Sequence, residues 1–302
     1  MSDQSEDNQS ASDMPSSEDL AARLVRLLQV ETLDTDLYRG PRNPGGQGRV
    51  FGGQVIGQAL MAATGSIEDE KVAHSLHAYF MRPGDEQLPI IYRVERDHDG
   101  GSFATRRIIA IQNGKPILNM AASFQRPETG LSHQFDMPDA PDPDTLPTES
   151  EVVLRHRDRL PEPFVEFITR RRPIEVRHAD EWTLASPRKG EPRPRLWFRA
   201  AGPLGDDPKM HRAVLSYASD MALMGACMQP HGVSWLTDRM QTASLDHAVW
   251  LHDDFRADEW LLYATDSPWS GGGRGFNRGQ IFTRDGRLVA STAQEALIRL
   301  KE

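Results

Sequence analysis

Ala243-Ser244-Leu245-Asp246-His247-Ala248-Val249-Trp250 is the stretch on which the fold turns. It follows a helix candidate running from about Pro208 to Met228. It also resembles an earlier segment, Ala73-His74-Ser75-Leu76-His77-Ala78-Tyr79-Phe80. That earlier strand candidate follows a Gly/Ala-rich helix candidate, Gly52 to Thr64. Each half continues with an apolar strand, Pro89 to Val94 or Trp260 to Ala264, and then a long hairpin. The hairpin turns, Asn113-Gly114 and Asp285-Gly286, combine the residues that best tolerate the backbone of tight strand reversals. Matching Ser75-Leu76 to Ser244-Leu245 gives an offset of 169, and matching Gly114 to Gly286 gives 172. A near-constant offset through helix, strand and hairpin marks a duplicated unit of one helix plus an antiparallel meander, an α+β architecture. In each unit the sheet is expected to wrap a single apolar helix, and two units side by side form a continuous sheet.

The rest of the chain fits around these two units. Its 302 residues are 38% hydrophobic and 26% charged, the balance of a globular protein with ample material for a core. No run of 18 apolar residues offers a membrane span. Residues 1–18 are acidic and serine-rich, unlike a secretory leader, and read as a disordered tail. A helix is expected from about Ser17, with Leu20, Leu24, Leu27 and Leu28 at helical spacing. The N-terminal unit is taken as 19–125 and the C-terminal unit as 174–302. Between them, 126–173 reads as a linker: Pro127, Pro138, Pro141, Pro143 and Pro147 prevent helix and remove ladder donors. A charged helix interrupted near Pro161 and Pro163 follows within it.

Charge and cysteine usage narrow the function. Residues 1–22 contribute −6 of the net charge of −9, leaving −3 on the remainder, so no basic nucleic-acid footprint exists as a global property. The single cysteine, Cys227, excludes an intramolecular disulfide framework and a cysteine-based zinc site, and suggests a reducing compartment such as the cytoplasm. The ten histidines show no metal-ligand spacing, so neither a metal nor another cofactor is expected.

Between Arg212 and Asp238 the only charged residue is Asp220, within an otherwise apolar helix pattern. A carboxylate there loses hydration, and must find donors or shift its pKa upward. The first helix has no charge between Val50 and Ile67. Its amides Gln54 and Gln58, four residues apart, read as structural or as a contact across the duplicated interface. On the strand at 242–251, strict alternation puts Ser244 and Asp246 on one face and His247 on the other, which disfavours a local Ser–His nucleophile pair. Asp246 is a competing acid. Gln294 shares a face of the last strand with Leu288, Ala290, Ala296 and Ile298, so its amide needs a hydrogen-bond partner. The run Gly271-Gly272-Gly273-Arg274-Gly275 lacks the Lys-Ser/Thr of a phosphate loop and precedes a strand, so it reads as a bulge or tight turn.

Several motifs together resemble the acyl-CoA thioesterase II family, from about Leu24 to Arg299. They are Arg49-Val50-Phe51-Gly52-Gly53-Gln54 and His74 to Phe80 with Pro83-Gly84 in the first half. In the second they are Ser219-Asp220, Gln229-Pro230-His231-Gly232, Ala243 to His247 with Trp250, Glu259 to Tyr263, Arg274-Gly275-Phe276, and Leu288 to Thr292 with Gln294-Glu295. The resemblance implies a double hotdog fold and hydrolysis of fatty acyl-CoA by an activated water, with no cofactor. It puts Asp220, Ser244 and Gln294 at the water-organising positions. Ser244 stands where bacterial relatives often carry threonine. Around Gly52-Gly53 a backbone amide is expected to meet the oxyanion, and Arg274 or Arg278 the phosphates of CoA. Exposed sheet edges imply a homo-oligomer. The competing readings are a hotdog hydratase or dehydratase, which needs a histidine such as His211 beside the acid, and a non-catalytic acyl-CoA binding protein.

Overall fold

The computed structural model describes residues 15–45, 48–67, 70–236 and 238–301. The expected tail therefore lies mostly outside the described residues. The first element, α1 (Ser17–Leu28), begins at a capping box in which Ser16 and Asp19 satisfy each other's backbone, and it buries Leu20, Ala21, Leu24 and Leu28. Two short strands follow, β1 (Glu31–Asp34) and β2 (Leu37–Gly40). Next come the first central helix, α2 (Gly52–Thr64), and the strands β3 (Val72–Phe80), β4 (Ile90–Asp99), β5 (Phe103–Gln112) and β6 (Lys115–Gln125). The connecting region contains α3 (Glu149–Leu154) and α4 (Glu162–Thr169), broken at Pro161 as the sequence requires.

The second half opens with β7 (Ile174–His178) and β8 (Arg195–Ala200), then the second central helix, α5 (Pro208–Ser219), and a short α6 (Gly225–Met228). It closes with β9 (Met240–Ser244), β10 (Asp246–Leu251), β11 (Leu261–Gly271), β12 (Arg274–Thr283) and β13 (Leu288–Leu300). The strands form one antiparallel 13-stranded sheet in the order β1-β2-β4-β5-β6-β3-β10-β13-β12-β11-β8-β7, with β9 also on β13. The two halves are mirror images of each other in this order and meet at the β3–β10 pair. That is the double hotdog expected from the sequence.

Strand pairing also corrects the alignment of the halves. Ala248 lies opposite His77, with Val249 opposite Leu76 and His247 opposite Ala78. The neighbouring strands fix the offset: Ala73 lies opposite Phe124 on β6 and Ser244 opposite Ala296 on β13, each beside a register shift, so 73 corresponds to 244, an offset of 171, and the Ser-Leu match at 169 is two residues out of phase. The offset of 171 lies closer to the 172 of the hairpin turns, which strengthens the case for duplication.

Helices α2 and α5 lie side by side under the sheet. Their approach depends on glycine. A Cβ added at Gly53 would fall 2.2 Å from the Tyr217 carbonyl oxygen, and one at Gly57 would fall 3.2 Å from that of Ala213. Gln58 is structural, as its position predicted. Its Nε2 donates to the carbonyls of Leu27 (2.6 Å) and Pro41 (3.0 Å), and its Oε1 accepts from the Tyr92 hydroxyl (2.8 Å). One buried amide thus ties α1, the segment after β2 and the sheet to α2. Gln54 adds a longer bond to the Pro41 carbonyl, 3.3 Å. The proline-rich linker runs along the second unit. Met137, Ala140 and Leu146 pack against the cluster of Trp197, Trp260, Leu262 and Phe282, and the Trp197 indole donates to the Pro141 carbonyl.

The Pro208–Met228 helix is shorter than expected. α5 stops at Ser219, turns occupy 220–224, and α6 is a separate single turn. The Ser219 carbonyl, which a continuing helix would offer to residue 223, instead accepts from the Tyr263 hydroxyl at 3.0 Å.

Replacing Gln58 with leucine removes three bonds at once and strands the buried Tyr92 hydroxyl. Thermal or denaturant unfolding of Gln58→Leu is expected to show a loss of about 1–3 kcal/mol; unchanged stability would refute this account of the amide.

Candidate active site

Termination of α5 leaves Asp220 at its C-cap. This is the negative end of its own helix, where a carboxylate is disfavoured. The compensation comes from the other unit. α2 begins at Phe51, which offers no side-chain cap, and the Gly53 N–H donates to the Asp220 carboxylate. Asp220 therefore caps the first helix from across the duplicated interface. The fit is close: a Cβ at Gly52 would lie 2.6 Å from Asp220 Oδ2. The rings of Phe51 and Tyr217 pack edge to face at the same junction, 5.1 Å between centroids.

The sheet supplies the remaining donors. Gln294 Nε2 donates to Asp220 Oδ1 at 2.6 Å and lies 3.1 Å from Ser244 Oγ. Ser244 Oγ donates to the same Asp220 oxygen at 3.3 Å. Asp220 and Ser244 remain partly accessible, whereas Gln294 is 1% exposed. Burial pushes the Asp220 carboxyl up to about 6, against the pull of hydrogen bonds from Gln294, Ser244 and Gly53. A carboxylate with that affinity for a proton, reachable from one side, can serve as a base near neutrality.

The structure thus brings Asp220, Ser244, Gln294, Gly52 and Gly53 together. Of the Gly52-Gly53 backbone, where an amide is expected to meet the oxyanion, the Gly53 N–H faces Asp220. Arg274 and Arg278 are not in the cluster. They stand on the opposite face of β12 from Asn277, exposed and paired with Glu295 (3.0 Å) and Asp266 (2.9 Å). Alternation on β12 decides this, because its even-numbered positions face away from the helices. The glycine run before them is a hairpin turn with positive φ at Gly272 and Gly273.

Strict alternation along 242–251 also fails. Ser244 lies opposite Ala296 and Ala248 opposite Ala293, so four steps on one strand match three on β13. The extra residue is a β-bulge at Leu245-Asp246. It reverses the phase, so His247 shares the inner face with Ser244, and Asp246 turns outward to accept from the Glu295 N–H at 2.6 Å. Asp246 is therefore not the acid beside Ser244, and His247, set aside on alternation, enters the site. It is fully buried, with Nδ1 3.3 Å from Gln294 Nε2. The bulge is not peculiar to this half, since β3 shifts register against β6 between Ala73 and Ser75, so comparing the two segments as strings of letters does not reveal it. His211, which a hydratase would place beside the acid, instead bonds the Gly205 carbonyl and the Ala257 N–H.

The sheet and its paired helices define a hotdog protein. A hot-dog-fold protein from Alicyclobacillus acidocaldarius, 18% identical, shares the fold with a TM-score of 0.74, covering 93% of this chain and 99% of that one. The family described as Acyl-CoA thioesterase matches residues 170–297, and Acyl-CoA thioesterase N-terminal domain matches 39–125. Acyl-coenzyme A thioesterase 8 of Homo sapiens is 41% identical over 292 residues, 94% of this chain and 91% of the relative. Acyl-CoA thioesterase 2 of Haemophilus influenzae is 39% identical over 287 residues, 94% and 99%. The crystal structure of an acyl-CoA thioesterase II from Mycobacterium marinum, 40% identical, matches with a TM-score of 0.75 over 93% of this chain and 98% of that one. The chain belongs to the acyl-CoA thioesterase II family, and it is an acyl-CoA hydrolase; neither alternative reading is favoured.

Gly53→Ala tests the helix junction. The added methyl has no room against the Tyr217 carbonyl, so α2 must shift away from Asp220. Unfolding experiments are expected to show about 1–3 kcal/mol of lost stability, together with a fall in kcat. Wild-type values for both would contradict the packing described.

Proposed function

We propose that Asp220, Ser244 and Gln294 carry the hydrolysis of fatty acyl-CoA by direct attack of water. The observation that supports this most is the convergence of Ser244 and Gln294 on one carboxylate oxygen, Asp220 Oδ1. Asp220 takes a proton from water as general base while the oxygen adds to the thioester carbonyl carbon. The tetrahedral intermediate collapses with cleavage of the C–S bond, and the proton held by Asp220 passes to the departing thiolate. The products are a fatty acid and CoA. Ser244 orients the water at the accessible side of the site. Gln294 acts from behind: its two amide hydrogens serve Asp220, Ser244 and His247, so it fixes the pair that meets the water. Thiolate is a good leaving group, and this route draws on no metal or cofactor.

The wider setting is proposed on the same footing. A single buried cysteine suits a reducing compartment, which supports the cytoplasm, and the fatty acyl substrate supports a place in fatty acid metabolism. The edge strands β1 and β7 end the sheet, which supports a homo-oligomer that covers them. Among the described residues, no helix is long and apolar enough to cross a membrane.

Thiol release from saturated acyl-CoAs of increasing length tests the reading. Asp220→Asn is expected to lose about 100-fold or more in kcat, the range of a missing general base, with an unchanged circular dichroism spectrum. Its carboxyl must be ionised to accept a proton, so wild-type kcat/KM should fall as pH drops through about 6 and level off above it. Equal turnover by mutant and wild type, or a flat profile through that range, would place the base elsewhere.

A further inference from the structure

His247 is the buried titratable group that this mechanism leaves unused, and its hydrogen bonds permit one proton arrangement. Ser219 Oγ donates to the Ser216 carbonyl at 3.0 Å, so at 2.8 Å from His247 Nε2 it accepts. Nε2 therefore carries the hydrogen, and Nδ1 presents a lone pair to Gln294 Nε2. The rest of the network runs the same way. The Tyr263 hydroxyl donates to the Ser219 carbonyl and accepts from Thr292 Oγ1 at 2.8 Å. Burial pulls the His247 imidazole down to about 3, so it stays neutral throughout the working range of a carboxylate base.

The Gln294 amide needs this. Its Oε1 is buried with no hydrogen-bond partner among the described residues, so nothing on that side holds the amide in place. Its orientation is set wholly by what faces Nε2. The Ser244 hydroxyl is indifferent, because it can donate or accept. Ionised Asp220 demands a donor, but once it has taken a proton from water it can donate to a flipped amide oxygen instead. At that moment the Nδ1 lone pair is what still selects Nε2.

We propose that His247 is a positioning residue of the hydrolysis: locked by Ser219 as the Nε2–H tautomer, it holds the Gln294 amide toward Asp220 through the proton transfer. This rests on the reading of Asp220, Ser244 and Gln294 given above.

The test combines kinetics with a direct view of the tautomer. His247→Leu is expected to lower kcat by about 10- to 100-fold, the scale of a misplaced catalytic group, with KM little changed. His247→Asn, which offers an acceptor where Nδ1 stood, should recover most of that loss. In a Gln294→Ala background, His247→Leu should cost nothing further, whereas a purely structural histidine would go on costing. In the wild-type protein, the ¹⁵N resonance of His247 Nδ1 should be that of an unprotonated ring nitrogen, a measurement that stands even if His247→Leu does not fold. A protonated Nδ1, an unchanged kcat in His247→Leu, or an equal loss with and without Gln294 would overturn the proposal. If Asp220→Asn and Gln294→Ala retain full turnover, the site reading falls and His247 with it. If they lose it and His247→Leu does not, only the role of His247 falls.

Discussion

The Asp220 carboxylate has to keep a charge where little water reaches it. It stands at the end of α5 whose backbone dipole opposes it, and among the described residues hydrogen bonds, rather than a cation, hold it. That arrangement requires three things at once: the end of α5 must stop at this residue, the start of α2 must come close enough to donate, and the sheet must deliver an amide and a hydroxyl. Tyr263 supplies the first by taking the Ser219 carbonyl, Gly52 and Gly53 the second by having no side chain, and the bulged β9–β10 strand with β13 the third. The raised proton affinity of Asp220 is the residue left when these donors fall short of bulk hydration.

Duplication makes this geometry available and also shows why one unit carries it. With the offset of 171 between β3 and β10, the counterparts of Ser244 and His247 are Ala73 and Leu76. Leu76 pairs with Ala122 on β6, as the bulged strand pairs with β13, so Ala122 stands where Gln294 does. All three counterparts are buried and apolar. The N-terminal unit thus contributes a helix terminus and core packing, while the C-terminal unit contributes the polar side chains. Neither builds the site alone, since the cap on Asp220 comes from the first unit and the carboxylate from the second.

The order of helices, strands and hairpins was legible because it rests on local rules: apolar periodicity, turn residues and proline placement act within a few residues of each other. Asp220 stood out because a lone charge in an apolar segment is visible without knowing what surrounds it, and Gln294 because an amide on an apolar strand face must be partnered. The end of α5 was not legible, since the group that ends it, Tyr263, lies 44 residues further along. Nor were the positions of Arg274 and Arg278 relative to the site, which depend on which face of β12 the helices cover.

His247 is the sharpest case. Alternation alone put it opposite Ser244, yet a single extra residue against β13 turns it inward beside Gln294. A bulge of one residue goes unmarked in a string of letters but is a reversal of side in a strand of period two. Local pattern therefore decided which elements form and which residues are chemically out of place. Tertiary structure decided which of them meet, because a hydrogen bond between two helix ends, or between strands 50 residues apart such as Ser244 and Gln294, is a property of the folded chain.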